Sequence, residues 1–118
     1  MINKGIKKES GDSSSLQNLL PIVLLKPKLD SGKSVLKALQ QRKTIREISD
    51  KKLSLQALSN LLWAACGVNR KKGPFGIPGR TAATASNSQE IDLYVALEGG
   101  TYLYDPFYQG FSQIRMFL

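Results

Sequence analysis

Two guanidiniums, an ammonium and a hydroxyl fall within five residues at Arg42-Lys43-Thr44-Ile45-Arg46. Arginine offers forked donors that match phosphate oxygens, and lysine offers a compact charge. Thr44 adds a neutral donor, and Ile45 has the character of an inward anchor. The group could clamp a phosphate. Taken alone, the group reads first as a charged helix end, where the macrodipole favours Lys and Arg. A second group, Thr84-Ala85-Ser86-Asn87-Ser88-Gln89, mixes small residues with hydroxyls and amides. Small residues let a flat ligand approach the backbone, and the amides can read a heterocycle's edge. The competing reading is a polar loop that satisfies its own backbone before a strand.

Much other chemistry is excluded. The chain has no His, so it supplies no His-based triad, general base or metal ligand. Its one Cys, Cys66, rules out an internal disulfide and a thiolate metal cluster. With no His to activate it, Cys66 reads as a small packed hydrophobe. No catalytic residue and no metal site are assigned.

The chain has 118 residues and a formal net charge of +8, with 42% hydrophobic and 22% charged residues. That suits one small globular domain with a core of its own. The charge is concentrated early, with 12 of the 17 basic residues before Leu53. A basic front half points to an anionic partner, or simply to a solvated face. No apolar run reaches the roughly 20 residues that span a bilayer. Leu19 to Leu25 is broken by Pro21 and lacks a cleavage pattern, so no signal peptide is expected. Arg70 to Arg80 contains two prolines and three glycines. It cannot be the recognition helix of a helix-turn-helix, and nucleic acid is not an expected partner beyond non-specific charge contact.

The elements that must position these groups follow from local pattern. Met1 to Gln17 reads as a flexible tail. Leu19 to Leu29, with Pro21 and Pro27, reads as an extended arm lying on something. A helix should start near Ser31 or Ser34, carry Val35, Leu36 and Leu39 on one stripe, and weaken after Arg42. A second helix should run from an N-cap at Ser54 to a stop at Gly67. Its apolar stripe is Leu55, Leu58, Leu61, Leu62 and Ala65, and Trp63, Ala64 and Cys66 extend it nearly all round, predicting deep burial. Asn69 to Arg80 is predicted as a loop without regular structure. Ile91 to Leu97 and Thr101 to Tyr104 should form a hairpin about Gly99-Gly100, closed by Asp105-Pro106. Phe107 to Leu118 shows no periodicity. Two helices and a hairpin suggest α+β, and a lone hairpin needs further strands.

Several segments resemble the nitroreductase family of flavoenzymes. Arg42-Lys43-Thr44-Ile45-Arg46-Glu47-Ile48 is similar to its arginine-rich opening motif, with Ile48 where an aromatic is usual. Leu61-Leu62-Trp63-Ala64-Ala65-Cys66-Gly67-Val68-Asn69 and Arg80 to Gln89 resemble the branch that includes peptide-azoline dehydrogenases, with Ala83 in place of Pro and Thr84 in place of Ser. The resemblance covers residues 26–105.

This resemblance implies an α+β, nitroreductase-like FMN-binding fold. It implies an oxidoreductase in which NAD(P)H reduces FMN by hydride transfer and a small molecule accepts the electrons. Arg42 and Lys43 would hold the phosphate and ribityl chain with Thr44 assisting. Arg46 and Asn87 would meet the pyrimidine edge, and Thr84 would take the place of the family's Ser. The partner would be a second copy, because the family builds flavin sites between two subunits, and the setting cytoplasmic. Members span about two hundred residues. The expectation is therefore a tail and arm over 1–25, a truncated family domain over 26–105 and an atypical segment over 106–118. Two alternatives follow: a non-catalytic remnant or binding module, and, on charge alone, a basic nucleic-acid-binding domain.

Overall fold

A computed structural model describes residues 20–108 and 113–116. The expected tail over Met1 to Gln17 lies outside the described residues. A four-stranded antiparallel sheet runs in the order β1-β6-β5-β4 and packs against one helix. Its strands are β1 (Ile22–Val23), β4 (Tyr94–Leu97), β5 (Gly100–Asp105) and β6 (Gln113–Met116). The helices are α1 (Val35–Gln41) and α2 (Leu55–Cys66), and a two-stranded ribbon joins β2 (Val68–Arg70) to β3 (Gly79–Arg80). The expected helices and hairpin are present, inside a larger sheet.

Both helices begin where their caps dictate. The Ser34 hydroxyl accepts from Lys37 N at 3.3 Å and the Ser54 hydroxyl from Ala57 N at 3.2 Å. Gly67 ends α2 as expected, for a different reason. Its backbone is extended rather than left-handed, at φ −75° and ψ 162°. A methyl carbon there would fall 2.3 Å from Trp63 Cδ1 and 2.7 Å from Trp63 O, so the site needs glycine for space.

The arm is tied down at both ends. Ile22 of β1 pairs with Ile114, which in turn faces Tyr104, so one apolar row crosses three strands. Ile114 has no exposed surface, and Leu24, Leu58, Leu62, Cys66, Tyr102 and Tyr104 complete the core. Beyond β1, Pro27 lacks an N–H and α2 offers no strand edge, so helix side chains satisfy the arm's backbone. Ser59 Oγ accepts from Leu25 N at 2.9 Å, Asn60 Oδ1 accepts from Lys28 N at 3.0 Å, and Gln56 Nε2 donates to Lys26 O at 3.0 Å.

Four expectations need correction. Helix α2 buries one face, Leu58, Ser59, Leu62 and Cys66, while Leu61, Ala64 and Ala65 are exposed, because only the sheet and arm pack on it. The 69–80 segment is not wholly irregular. Its Gly and Pro residues bend the centre, and near the ends Arg70 pairs with Gly79. The hairpin strand starts at Tyr94 rather than Ile91. In this register Ile91 would face Pro106, which has no N–H to donate. The two-residue turn is Glu98-Gly99, and Gly100 opens β5 at φ +140°, a conformation glycine tolerates. Finally, part of the aperiodic 107–118 segment is β6, flanked by β1 and β5 within the sheet. Apolar stripe residues Val35, Leu36 and Leu39 of α1 are all exposed.

Candidate functional site

The ribbon and the loop after it line an open polar cleft of about 420 Å³. One wall is Asn69 and Arg70 at the end of β2. The opposite wall runs from Arg80 through Thr84 to Asn87. Loop 84–89 holds its shape by local bonds. Asn87 N donates to Thr84 O at 3.2 Å, and Gln89 N donates to Thr84 Oγ1 at 3.1 Å. Ser86, Asn87 and Gln89 sit at φ +50°, +55° and +53°. Three left-handed non-glycine residues so close together cost energy, and such strain gathers where a structure holds a surface for use.

The Asn87 side chain is already engaged. Its Nδ2 donates to Ile77 O at 3.3 Å and Pro74 O at 3.5 Å, and its Oδ1 accepts from Gln89 Nε2 at 2.8 Å. Both Nδ2 bonds are long, and the second is at the limit of a hydrogen bond, so a ligand could compete for that donor. Glu90 follows the loop. The Ser88 hydroxyl, then its own backbone N–H, hold its carboxyl below the ordinary 4.5.

The arginine of the Arg80-Thr81 pair points inward. Arg80 Nη1 donates to Cys66 Sγ at 3.2 Å, and its guanidinium stands 4.8 Å from the centre of the Phe107 ring. Its Nε is buried without a partner among the described residues. Thr81 Oγ1 donates to Trp63 O at 3.1 Å, a second bond to a last-turn carbonyl that already accepts from Gly67 N at 2.7 Å. Both residues mainly lock α2 to the ribbon. Cys66 is buried beneath Arg80, as expected of a packed hydrophobe.

Arg42, Lys43, Thr44 and Arg46 lie past the end of α1, fully on the surface. No side-chain hydrogen bond or ion pair joins them to another described residue. Ile45, expected to anchor the group, is 68% exposed. None of the four basic-group residues lines the polar cleft that Thr84 and Asn87 line. The fold thus sets out two groups of donors and leaves the basic one uncommitted. Among the described residues, Arg70 and Arg80 line the polar cleft and no carboxylate does, with the Arg80 guanidinium engaged by Cys66 and Phe107. The exposed basic group and the polar loop are donor sets of the kind an anionic, hydrogen-bonding cofactor such as FMN needs.

The profile of the nitroreductase family matches residues 39–115. The chain belongs to the nitroreductase family. A solved nitroreductase-type protein from Ralstonia eutropha JMP134 is 37% identical, with a TM-score of 0.70. That alignment covers 96% of this chain and 49% of the other, so the chain spans about half the length of that relative. No curated protein gives a significant match. The family match runs into β6, past Asp105, where the legible sequence motifs stop. Among the described residues no helix is long and apolar enough to cross a membrane, and no cluster of metal-ligating side chains occurs.

The sequence reading missed Arg70, which shares the polar cleft. Its only sequence signal is membership of the Arg70-Lys71-Lys72 run, because its position depends on pairing with Gly79 across the ribbon.

Proposed function

We propose that this nitroreductase-family chain binds FMN and takes part, as a homodimer, in NAD(P)H-linked reduction of a small electron acceptor. Bound FMN would supply the hydride chemistry. The chain's own residues would bind and tune. Arg42 and Lys43 would hold the phosphate and ribityl chain, with Thr44 as a neutral donor. Arg46 would place a fixed cation near the pyrimidine edge, where negative charge gathers on reduction. Thr84 and Asn87 would meet the ring, Asn87 by trading its two long bonds to the 74–77 turn.

The observation that carries this reading is the uncommitted donor group at Arg42–Arg46 in a chain of this family. Two features support a second copy. Among the described residues, the basic group does not line the cleft that Thr84 and Asn87 line. The Val35, Leu36 and Leu39 face of α1 is also bare. The segments around Leu61–Asn69 and Arg80–Gln89 favour the peptide-azoline dehydrogenase branch, and a cytoplasmic setting would supply NAD(P)H.

Incubation with FMN, desalting and an absorbance scan, with size-exclusion alongside, tests the proposal. It expects a flavin band retained on a dimer. Flavin lost from a folded monomer would contradict it and favour a non-catalytic binding module.

A further inference from the structure

Arg70 is exposed, and its guanidinium makes no hydrogen bond or ion pair with a described residue. It is nevertheless held in place. A methyl carbon at Gly79 would fall 2.4 Å from Arg70 Nη2, 2.5 Å from Nε and 2.6 Å from Cζ, so the guanidinium rests on bare glycine backbone. The ribbon register is irregular between Val68 and Arg70, and such an irregularity re-aims the side chain that follows. The fold thus positions a cation whose donors are unspent among the described residues.

Arg70 also lines two clefts at once. One is the polar cleft already described. The other, of about 640 Å³, is walled by Leu24, Pro27, Trp63, Val68 and Phe107. Trp63 satisfies its own Nε1 by donating to Val68 O at 3.2 Å, so its ring adds apolar surface. Lys26 and Lys71 stand with Arg70 around this second cleft, and among the described residues no carboxylate lines it. The charge selects an anion, and the walls select a flat apolar body.

We infer that Arg70 anchors a binding site for a small aromatic carboxylate, with the carboxylate on the guanidinium and the ring between Trp63, Pro27 and Phe107. This site goes beyond the proposed redox role and does not need flavin. Arginine pairs with carboxylate through two parallel bonds, which gives the site orientation as well as affinity.

Calorimetric titration of the full chain with naphthoate, and with the uncharged naphthylmethanol, tests the assignment. Naphthoate should bind at least about tenfold more tightly and shift the emission of Trp63, the chain's one tryptophan. Arg70→Gln should erase the difference and leave the alcohol's affinity unchanged. Gly79→Ala keeps the charge but evicts the guanidinium, and should weaken naphthoate alone. Far-UV circular dichroism checks that both variants fold. Equal binding of acid and alcohol, or full naphthoate affinity in Arg70→Gln, would overturn the inference. Displacement of naphthoate by FMN would assign Arg70 to the cofactor, and equal competition by inorganic phosphate would reduce the site to an anion contact. Either result would also overturn it.

Discussion

Gly67→Ala puts the α2 stop under test. The added methyl would lie 2.3 Å from Trp63 Cδ1, 2.7 Å from Cγ and 2.7 Å from the Trp63 carbonyl oxygen. Neither neighbour can yield freely. The indole is tied to Val68 O at 3.2 Å, and the carbonyl accepts from Gly67 N at 2.7 Å and Thr81 Oγ1 at 3.1 Å. Forcing a methyl into a filled site costs about 1–3 kcal/mol. Loss of the indole bond adds about 0.5–1.5 kcal/mol. Replacing glycine recovers about 0.4–1 kcal/mol through the unfolded chain. The net loss should be about 2 kcal/mol. Urea unfolding followed by circular dichroism should show a midpoint lower by about 1 M at unchanged slope. Trp63 emission should change in the folded state. A Gly67→Ala protein as stable as the parent, with the parent's Trp63 emission, would refute the packing argument.

Three further outcomes are expected. Ile114→Ala empties the most buried position and should cost about 2–5 kcal/mol by urea unfolding. Ser59→Ala removes the acceptor of the Leu25 N–H and should cost about 0.5–1.5 kcal/mol, with faster amide exchange at Leu25. Glu90 should titrate below 4.5 by NMR, and Ser88→Ala should move it back toward that value. Its folded value is the depressed one, so its small contribution to stability is present above 4.5 and is lost as pH falls through the folded value.

The readable parts of the fold were those set by neighbours in sequence. Ser34 and Ser54 announce their helices because a cap acts within one turn. The glycines at 99 and 100 announce a hairpin, though only the register shows that Glu98 belongs to the turn. Strand β6 was silent. Gln113 and Ile114 are both buried while Arg115 is exposed, so the alternation that betrays a strand is broken. The ribbon was hidden by glycine and proline, which forbid long elements but not a short pairing of ends. Which face of α2 would be buried was also illegible, since Leu61 and Leu62 look alike until the sheet is placed.

The candidate site divides the same way. The basic group at Arg42–Arg46 is visible as a run of residue types. The polar loop is visible too, but not the left-handed backbone of Ser86 and Asn87 or the prior engagement of Asn87. Arg70 takes its meaning from Gly79, nine positions away and across a ribbon, and no local pattern encodes that.

The most direct test of the flavin proposal is a fluorescence titration of FMN with the parent chain and with Arg42→Ala/Arg46→Ala. Each lost charge-assisted contact should weaken binding about tenfold or more, so the double variant should bind about a hundredfold less tightly. Equal affinity of the two proteins for FMN would contradict the assignment of the basic group, and no binding by the parent would contradict the proposal itself.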